Sequence, residues 1–264
     1  MKLFRTAALA LSAAVLATTC MSPTPAQAIV GGSDVTLGEA PYMAGLTKGT
    51  AFAFCGGSLI SNQYVLTSAH CVTGQDPTSL QVLLGDLDYN SKSDSPYAAL
   101  YPVEAYMVHP NFNAKTNLND IALIKLRRQA VSNYAVRPIQ LDTAAGSHAG
   151  ETVEALGWGS TSYGGPVSSR LRKVPLSVVP TKECKTTYPQ LNGSTQLCTY
   201  TAGSDTCQYD SGGPVVEHVN GRPILTGVIT AASSGCATSS PTKHTRVAAY
   251  HQWITAATGP LPVP

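Results

Sequence analysis

Short runs of β-branched and aliphatic residues recur along the chain, separated by turn-forming residues. The clearest runs are Tyr64–Thr67, Leu80–Leu84, Ile121–Leu126, Val174–Val179 and Ile224–Thr230. The chain also contains 23 glycines and 18 prolines, which interrupt it at short intervals. Many short strands with frequent turns are typical of a β-sandwich or β-barrel, and not of alternating βαβ units. The pattern therefore predicts an all-β fold.

A convincing helical period occurs near the carboxyl end. Val247, Tyr250 and Ile254 are spaced so that they share one face of a helix. This spacing predicts a helix over residues 247–257. Residues 259–264 are rich in proline and offer little to bury, so we expect a flexible tail there.

The first 28 residues have the pattern of a signal peptide. Lys2 and Arg5 flank the start, an apolar stretch covers residues 7–17, and Ala26-Gln27-Ala28 forms a small-x-small cleavage site. A membrane anchor or a core helix is the competing interpretation, but the apolar run is too short to span a bilayer. We therefore expect residues 1–28 to be removed and the protein to be secreted.

The remaining composition suits one compact unit with a sizeable core, because 43% of the residues are hydrophobic and 12% are charged. Without Lys2 and Arg5 the chain has 15 basic and 15 acidic residues. A balanced charge excludes the electrostatic footprint of a nucleic-acid-binding protein or of a protein that binds an anionic membrane.

The cysteines point to disulfides. Cys20 leaves with the leader, and an even number remains for an exported chain: Cys55, Cys71, Cys184, Cys198, Cys207 and Cys236. Metal binding is the alternative, but the chain has neither a CxxC pair nor an HExxH motif, so we expect no metal and no other cofactor. Six cysteines allow 15 pairings, and spacing alone does not choose among them.

Three local strings carry candidate chemistry: His70 in Leu66–Cys71, Asp120 in Asn119–Leu123, and Ser211 in Cys207–Pro214. A serine hydroxyl needs a nearby base to take its proton, and histidine has a suitable pKa. A buried carboxylate then holds the histidine tautomer and stabilises the imidazolium. Each residue alone has an ordinary structural explanation as a packed histidine, a cap or a turn. Together, in the order His, Asp, Ser, they predict a catalytic triad.

With these strings the sequence closely resembles the chymotrypsin/trypsin family, from Ile29 to about Ala257. Further matching blocks are Ile29–Gly32, Cys55–Leu59 and Gly157–Gly159. The resemblance implies two six-stranded antiparallel β-barrels, over residues 29–134 and 135–258, with a C-terminal helix and the triad in the cleft between them. It also implies the disulfides Cys55–Cys71, Cys184–Cys198 and Cys207–Cys236.

The family's new N-terminal amine folds inward and pairs with the aspartate that precedes the catalytic serine. Carried over, the resemblance implies an Ile29–Asp210 pair that shapes the oxyanion hole. Relatives usually have Arg or Lys before this isoleucine, whereas this chain has Ala28, the expected signal-peptidase site. We therefore expect maturation without a separate activating cleavage. A different leader cut followed by trimming is the alternative.

The implied oxyanion hole departs from the family. Its donors would be the backbone N–H groups of Tyr209 and Ser211, and relatives nearly always have glycine in a left-handed conformation at the position of Tyr209. Two interpretations stay open. The tyrosine could be strained by about 1–3 kcal/mol, and a flip of the peptide would remove one donor. Alternatively, the surroundings hold the productive geometry and the ring lies on the leaving-group side.

The implied specificity pocket is mixed. Asp205 matches the floor of the trypsin pocket and would select Arg or Lys, although it could also be a solvated loop residue. Thr230 keeps a hydroxyl that the family uses to bond the triad aspartate. The walls of the pocket differ from those of trypsin at Ala231, Ala232 and Thr242, and Thr242 should narrow the pocket as in elastases. Lys243 follows directly and would neutralise Asp205 if it turned inward.

The other histidines carry no assigned chemistry. His109 fits a recurring family segment and is expected to be structural, and the remaining ones are expected to be surface or packing residues: His148, His218, His244 and His251. Asp86 and Asp88 sit near the family's calcium-binding loop, but the other ligands do not line up clearly, so the sequence leaves calcium binding open.

The leading hypothesis is thus a secreted serine endopeptidase that cleaves after Arg or Lys through an acyl-enzyme. Its expected partners are protein or peptide substrates and protein protease inhibitors, and we expect a monomer. The rival hypothesis is a weakly active or inactive binding protein on a protease scaffold, like the secreted glucanase inhibitors of plant-pathogenic oomycetes. Those proteins have lost triad residues, whereas this chain retains His70, Asp120 and Ser211.

Overall fold

The computed structural model describes residues 29–49, 52–91, 93–144, 146–230 and 235–262. The expected signal peptide and the last two residues of the expected tail lie outside the described residues. No helix in the described part of the chain is long and apolar enough to cross a membrane.

The strands and helices of the described residues follow the β-rich pattern of the sequence. In chain order the strands are β1 (Ser33–Asp34), β2 (Met43–Thr47), β3 (Cys55–Leu59), β4 (Tyr64–Thr67), β5 (Gln81–Leu84), β6 (Ala99–Val108), β7 (Ala122–Leu126), β8 (Gln140–Leu141), β9 (Thr152–Gly157), β10 (Arg172–Val179), β11 (Gln196–Tyr200), β12 (Pro214–Val219), β13 (Arg222–Ile229) and β14 (Thr242–Arg246). The α-helices are α1 (Ala69–Val72), α2 (Thr181–Thr187) and α3 (His251–Thr258).

The first half of the chain forms a closed antiparallel barrel with the strand order β2-β3-β4-β7-β6-β5. Its interior is filled by aliphatic side chains from every strand, among them Leu46, Val65, Val82 and Ile124, all fully buried. Closure pairs every strand on both sides, so no hydrogen-bonding edge is left exposed.

The second half forms another closed barrel, with the order β9-β10-β11-β14-β13-β12 and β12 pairing back to β9. Two short strands lie outside this ring, since β1 pairs with β10 and β8 runs parallel to β13. The interior cluster includes Val153, Val174, Val215 and Ile229. The predicted fold class, two six-stranded antiparallel barrels with a C-terminal helix, is confirmed.

The two ends of the described chain each cross to the opposite barrel. Through β1, the first residues lie against the second barrel, and buried Ile29 belongs to its core. At the other end a 3₁₀ turn (Val247–Tyr250) leads into α3, so the predicted helix begins with a tighter turn. The rings of Tyr250 and Trp253 both meet His109 edge-on, each 5.1 Å away between centroids. These crossings fasten the barrels to each other.

The described residues contain three disulfides, as the family resemblance implied: Cys55–Cys71, Cys184–Cys198 and Cys207–Cys236. The first two close loops with sequence separations of 16 and 14 residues. Loops of this size contribute roughly 3 kcal/mol each in the chain-entropy account. The third joins the loop that carries Ser211 to the segment preceding β14.

The expectation that His148 is an unpartnered surface or packing residue is wrong. Its side chain is 9% exposed and lies between two carboxylates, with Nε2 2.9 Å from Asp142 Oδ2 and Nδ1 2.8 Å from Glu217 Oε2. The hydrogen bond to Asp142 is the main cause that raises the pKa of His148, burial opposes it, and Glu217 adds to the rise. His148 therefore links the segment after β8 to β12.

Candidate active site

His70 and Asp120 meet because the strands beside them pair. His70 lies in α1, just after β4, and Asp120 lies just before β7, while the antiparallel register sets Thr67 opposite Ala122. The end of one strand and the start of the other therefore share one rim of the barrel. Asp120 Oδ2 lies 2.7 Å from His70 Nδ1, and Oδ1 accepts the His70 backbone N–H at 2.9 Å.

The burial of this pair is uneven. The Asp120 side chain is 0% exposed, whereas the His70 side chain is 32% exposed. A buried carboxylate on Nδ1 fixes the orientation of the ring and directs Nε2 to the open side. The Thr245 hydroxyl adds a 3.0 Å hydrogen bond to the backbone carbonyl of Asp120, which ties the aspartate to β14 in the second barrel.

Ser211 lies in the loop that enters β12. The backbone N–H of Gly56 in β3 donates to its carbonyl at 2.7 Å, which joins this loop to the first barrel. Cys71 Sγ lies 3.7 Å from His70 Nε2 and 3.6 Å from the Ser211 carbonyl oxygen, so the histidine and the serine are neighbours. The Ser211 hydroxyl donates to the Thr230 carbonyl at 2.6 Å instead of to His70. A rotation about its Cα–Cβ bond is needed before the two groups can bond.

Tyr209 adopts the left-handed conformation, with φ at 74°. The sequence left open whether the loop would flip at this residue, and the structure keeps the positive φ. Neither the Tyr209 nor the Ser211 backbone N–H donates to an acceptor within the described residues. The Tyr209 ring is 45% exposed and lies edge-on to Phe52, 5.3 Å between centroids. Two free donors thus lie beside an exposed aromatic ring.

Asp210 is fully buried and accepts the backbone N–H groups of Cys207 and Gly159, both at 2.8 Å. Burial raises its pKa to about 7, the two hydrogen bonds oppose that rise, and the charge of Asp205 adds to it. The start of the chain runs close by, because the Asp205 N–H donates to the Val30 carbonyl at 3.1 Å. Ile29 itself is 0% exposed.

The Asp205 carboxylate is buried and is surrounded by hydrogen-bond donors. Its carboxylate accepts the Thr242 hydroxyl at 2.8 Å, the Thr206 N–H at 2.8 Å and the Ala237 N–H at 3.1 Å. Burial raises the pKa of Asp205, and these hydrogen bonds oppose the rise. The carboxylate is therefore already well bonded before any ligand approaches it.

Comparison with known proteins agrees with this architecture, because the trypsin family model matches residues 29–254. The chain belongs to the trypsin family. It is 36% identical to chymotrypsin-2 of Vespa crabro over 86% of this chain and 98% of that protein. It is 33% identical to a venom serine protease of Polistes dominula over 87% of this chain and 85% of that protein. Trypsin-1 of Astacus astacus is 38% identical over 61% of this chain and 69% of that protein.

Two expectations about this trypsin-family pocket need correction. The Thr230 hydroxyl lies 3.3 Å from Thr245 Oγ1 and makes no bond to the Asp120 carboxylate in the described structure. Lys243 does not neutralise Asp205, because its Nζ donates to the Thr116 carbonyl at 3.2 Å. Alternation along β14 explains this, since the side chain of Thr242 already faces Asp205. Ala231 and Ala232 lie outside the described residues.

Metal-binding groups are few in the described part of the molecule. The geometric cluster of Cys55, His70 and Cys71 contains two disulfide-bonded cysteines, so their sulfurs are not thiolate ligands. Near the family's calcium loop, burial and the charge of Asp94 raise the pKa of Asp86 to about 6. Asp94 Oδ2 instead accepts the backbone N–H groups of Leu87 and Asp88.

Some neighbours of the site carried no sequence signal. Phe52, which meets Tyr209, also lies 6.2 Å from Tyr89, between ring centroids. Nothing in the local sequence indicated that these aromatic residues would converge, because they come from separate loops. His244, by contrast, is a packing residue as expected: it is fully buried, with Nε2 2.8 Å from Thr199 Oγ1, and burial lowers its pKa to about 3.

Proposed function

We propose that this chain is a secreted serine endopeptidase whose catalytic triad is His70, Asp120 and Ser211. The observation that carries the proposal is the buried Asp120 carboxylate 2.7 Å from Nδ1 of His70, whose ring adjoins the Ser211 loop. A histidine oriented in this way is suited to remove a proton from a neighbouring hydroxyl. Kinship with serine proteases supports the same reaction class.

In the proposed reaction the Ser211 hydroxyl turns from Thr230 towards Nε2 of His70. Its oxygen attacks the scissile carbonyl carbon while Nε2 takes the proton, and Asp120 stabilises the imidazolium that forms. The tetrahedral oxyanion accepts the N–H groups of Tyr209 and Ser211. Nε2 then protonates the leaving amine, and a water molecule hydrolyses the acyl-Ser211 ester by the same route.

We propose Arg or Lys as the preferred residue before the scissile bond, with Asp205 as the pocket floor. The buried carboxylate and its raised pKa support a ligand cation as partner, since a positive charge nearby favours the ionised form. Thr242 works against this preference, because its hydroxyl already donates a hydrogen bond to the Asp205 carboxylate. Among the relatives, one is named a chymotrypsin and another a trypsin, so their names support no single specificity.

Maturation in this proposal releases the amine of Ile29 by signal-peptide cleavage after Ala28. Burial of Ile29 and the proximity of Val30 to Asp205 support its insertion beside Asp210. The new ammonium would supply the charge partner that the buried Asp210 carboxylate otherwise lacks among the described residues. We propose that the product acts outside the cell as a monomer on protein or peptide substrates and meets protein inhibitors there.

The test is labelling by a serine-directed fluorophosphonate together with peptide cleavage. The wild-type protein should be labelled and active, and Ser211→Ala should lose both properties because the covalent step requires that hydroxyl. Ser93→Ala, at an exposed serine on another loop, is the matched control and should behave as wild type. A folded wild-type protein that is neither labelled nor active would refute the enzyme and favour the binding protein.

A further inference from the structure

A cavity of about 290 Å³, with two lysines in a mainly apolar lining, lies near the segment that leads to Asp120. It is bounded by the segment that leads to Asp120, by the loop after α2 and by β14. Its lining includes Lys115, Thr116, Tyr188 and Lys243. Among its described lining residues there are two lysines and no aspartate or glutamate. The cavity is therefore positively charged without an acidic partner of its own.

Lys243 is the central cation of this cavity. Its side chain leaves β14 on the face opposite Thr242, and Nζ donates to the Thr116 carbonyl at 3.2 Å. Nζ also lies over the ring of Tyr188, 5.4 Å from its centroid. An ammonium group has three N–H donors, and the described residues provide one hydrogen-bond acceptor for them. Donors therefore remain for a ligand.

The charge of Lys243 is incompletely balanced. Burial lowers its pKa, and only the charge of Asp120 opposes this. The Asp120 carboxylate is already engaged by His70, and no carboxylate forms an ion pair with Lys243 within the described residues. A half-buried cation without a close counter-ion favours an anionic ligand, because the ligand would restore the charge interaction that burial weakens.

The cavity adjoins two segments of the proposed active site. Lys243 directly follows Thr242, which contacts Asp205 at the base of the proposed side-chain pocket, and Thr116 precedes Asp120 by one short turn. An extended peptide advances about 3.3 Å per residue, so a substrate that fills the Asp205 pocket would need only a few further residues to extend to the cavity. We propose that this cavity is a subsite for an acidic side chain of the substrate, upstream of the scissile bond, with Lys243 as its cation.

This inference rests on the proposed function, and its test separates the two. Fluorescent hexapeptides carry Arg at the residue before the scissile bond and either Glu or Gln at one of the preceding positions. Glu and Gln have the same shape, so only the charge differs. Dissociation constants are measured with Ser211→Ala, which cannot cleave the peptides, and kcat/KM is measured with the active protein.

At one upstream position we expect Glu to bind about fivefold to tenfold more tightly than Gln, as for a partly buried ion pair. Replacing Lys243 by Met in the Ser211→Ala protein should bring that ratio close to one. Lys182→Met is the matched control, because Lys182 is exposed on α2 and away from the cavity, and it should keep the ratio. Added salt should reduce the ratio in the control but not in the Lys243→Met protein.

The outcomes are distinct for the two proposals. Equal binding of Glu and Gln peptides at every position would overturn the subsite, even if the wild-type protein cleaves them efficiently. A preference for Glu that survives Lys243→Met would overturn it too. If the wild-type protein cleaves no peptide, the proposed endopeptidase fails, while the binding ratio still decides whether the acidic subsite exists.

Discussion

The hydroxyl of Thr242 donates a 2.8 Å hydrogen bond to the carboxylate of Asp205. Both side chains are buried, at 3% and 5% exposure. In a pocket that selects Arg or Lys, the substrate cation needs this carboxylate. If Asp205 is the pocket floor, as proposed, Thr242 would compete with the substrate cation for this carboxylate, and its branched side chain would also fill part of the pocket.

We expect Thr242→Gly to raise kcat/KM for substrates with Arg before the scissile bond, by about tenfold relative to substrates with Ala there, corresponding to about 1.4 kcal/mol. The reason is that Asp205 loses one competing donor and the pocket gains room. Glycine within β14 should also lower the free energy of unfolding by about 0.5–1 kcal/mol. Cleavage of paired Arg and Ala peptides measures the first effect, and thermal unfolding measures the second.

Thr242→Ser separates the two causes in this pocket, because serine keeps the hydroxyl and removes only the methyl group. It should raise the Arg preference less than Thr242→Gly does. If both variants gave the same increase, the volume of the side chain and not its hydrogen bond would limit access to Asp205. Asp205→Ser should reduce the Arg preference by more than it reduces cleavage in general.

The sequence predicted those features whose signals are local. The run Tyr64–Thr67 became β4 with the same bounds, and the apolar spacing after Val247 became the C-terminal helix. Strand recognition needs only alternating burial and turn residues, which the sequence displays directly.

Contacts between segments that are distant in the chain could not be predicted from local sequence patterns. The partners of His148 lie 6 and 69 positions away in the chain, and Lys243 reaches an oxygen 127 positions away. Their geometry depends on barrel closure and on which face of β14 a side chain occupies. The resemblance to a family could indicate the triad and could mark Tyr209 and Thr242 as departures, but it could not indicate which residues those side chains contact.

Tyr209→Gly should increase stability more than turnover. The structure already holds the positive φ at Tyr209, so the loop keeps its donors, and the strain is expressed as a lower free energy of unfolding. A left-handed residue costs about 1–2 kcal/mol, of which the lost contact with Phe52 and the flexibility of glycine cancel part. We expect Tm to rise slightly and kcat to change by less than about threefold, since less than 1 kcal/mol is involved.

Binding on the leaving-group side of the scissile bond tests whether Tyr209 leaves the oxyanion donors intact. Substrates with a bulky residue just after the scissile bond, and bulky protein inhibitors, should bind more tightly once the exposed ring is removed. A tenfold or larger gain in kcat with all substrates would instead show that the tyrosine disturbs the oxyanion donors during catalysis.

The proposed Ile29–Asp210 pair makes activity sensitive to alkaline pH. The α-amine has an unperturbed pKa of about 7.7–8.0, and pairing with a buried carboxylate should raise it in the folded protein. A raised pKa means that the stabilisation is complete below the unfolded value and is lost as the pH rises through the folded value. Activity measured against pH should therefore decline on the alkaline side, above about pH 8.

A form that retains Ala28 before Ile29 is the natural control for this pair. Its amine is displaced by one residue, so Asp210 keeps its raised pKa of about 7 and no buried ammonium forms. This form should have low activity and no alkaline decline of the same origin. Equal activity of the two forms at neutral pH would show that a buried amine is not required.

His148 should make the stability of the fold depend on pH near neutrality. The pKa of His148 is raised in the folded protein. The contacts of His148 with Asp142 and Glu217, called the clamp below, therefore contribute their full stabilisation below about pH 6.5, the usual histidine pKa. That stabilisation is lost as the pH rises through the pKa of His148 in the folded protein. The pKa of Asp142 is lowered by the same contact, although burial is the largest influence on that group and opposes the shift. Its contribution is therefore lost in the opposite direction, as the pH falls through the low value of Asp142. Stability from this clamp should be greatest between the two values.

Replacing His148 by Gln keeps a polar side chain but removes the charge that titrates. We expect a loss of about 1 kcal/mol at pH 6, or about 2–4 °C in Tm for a chain of this size, and a smaller loss at pH 8.5. His218→Gln is the matched control, because the His218 side chain is 45% exposed and lies 3.8 Å from its nearest carboxylate, and it should change Tm little at either pH. Thermal unfolding of both variants across this pH range measures the difference. A His148→Gln loss that is the same at both pH values would mean that the ring contributes by packing alone, and that its two carboxylates do not hold it protonated.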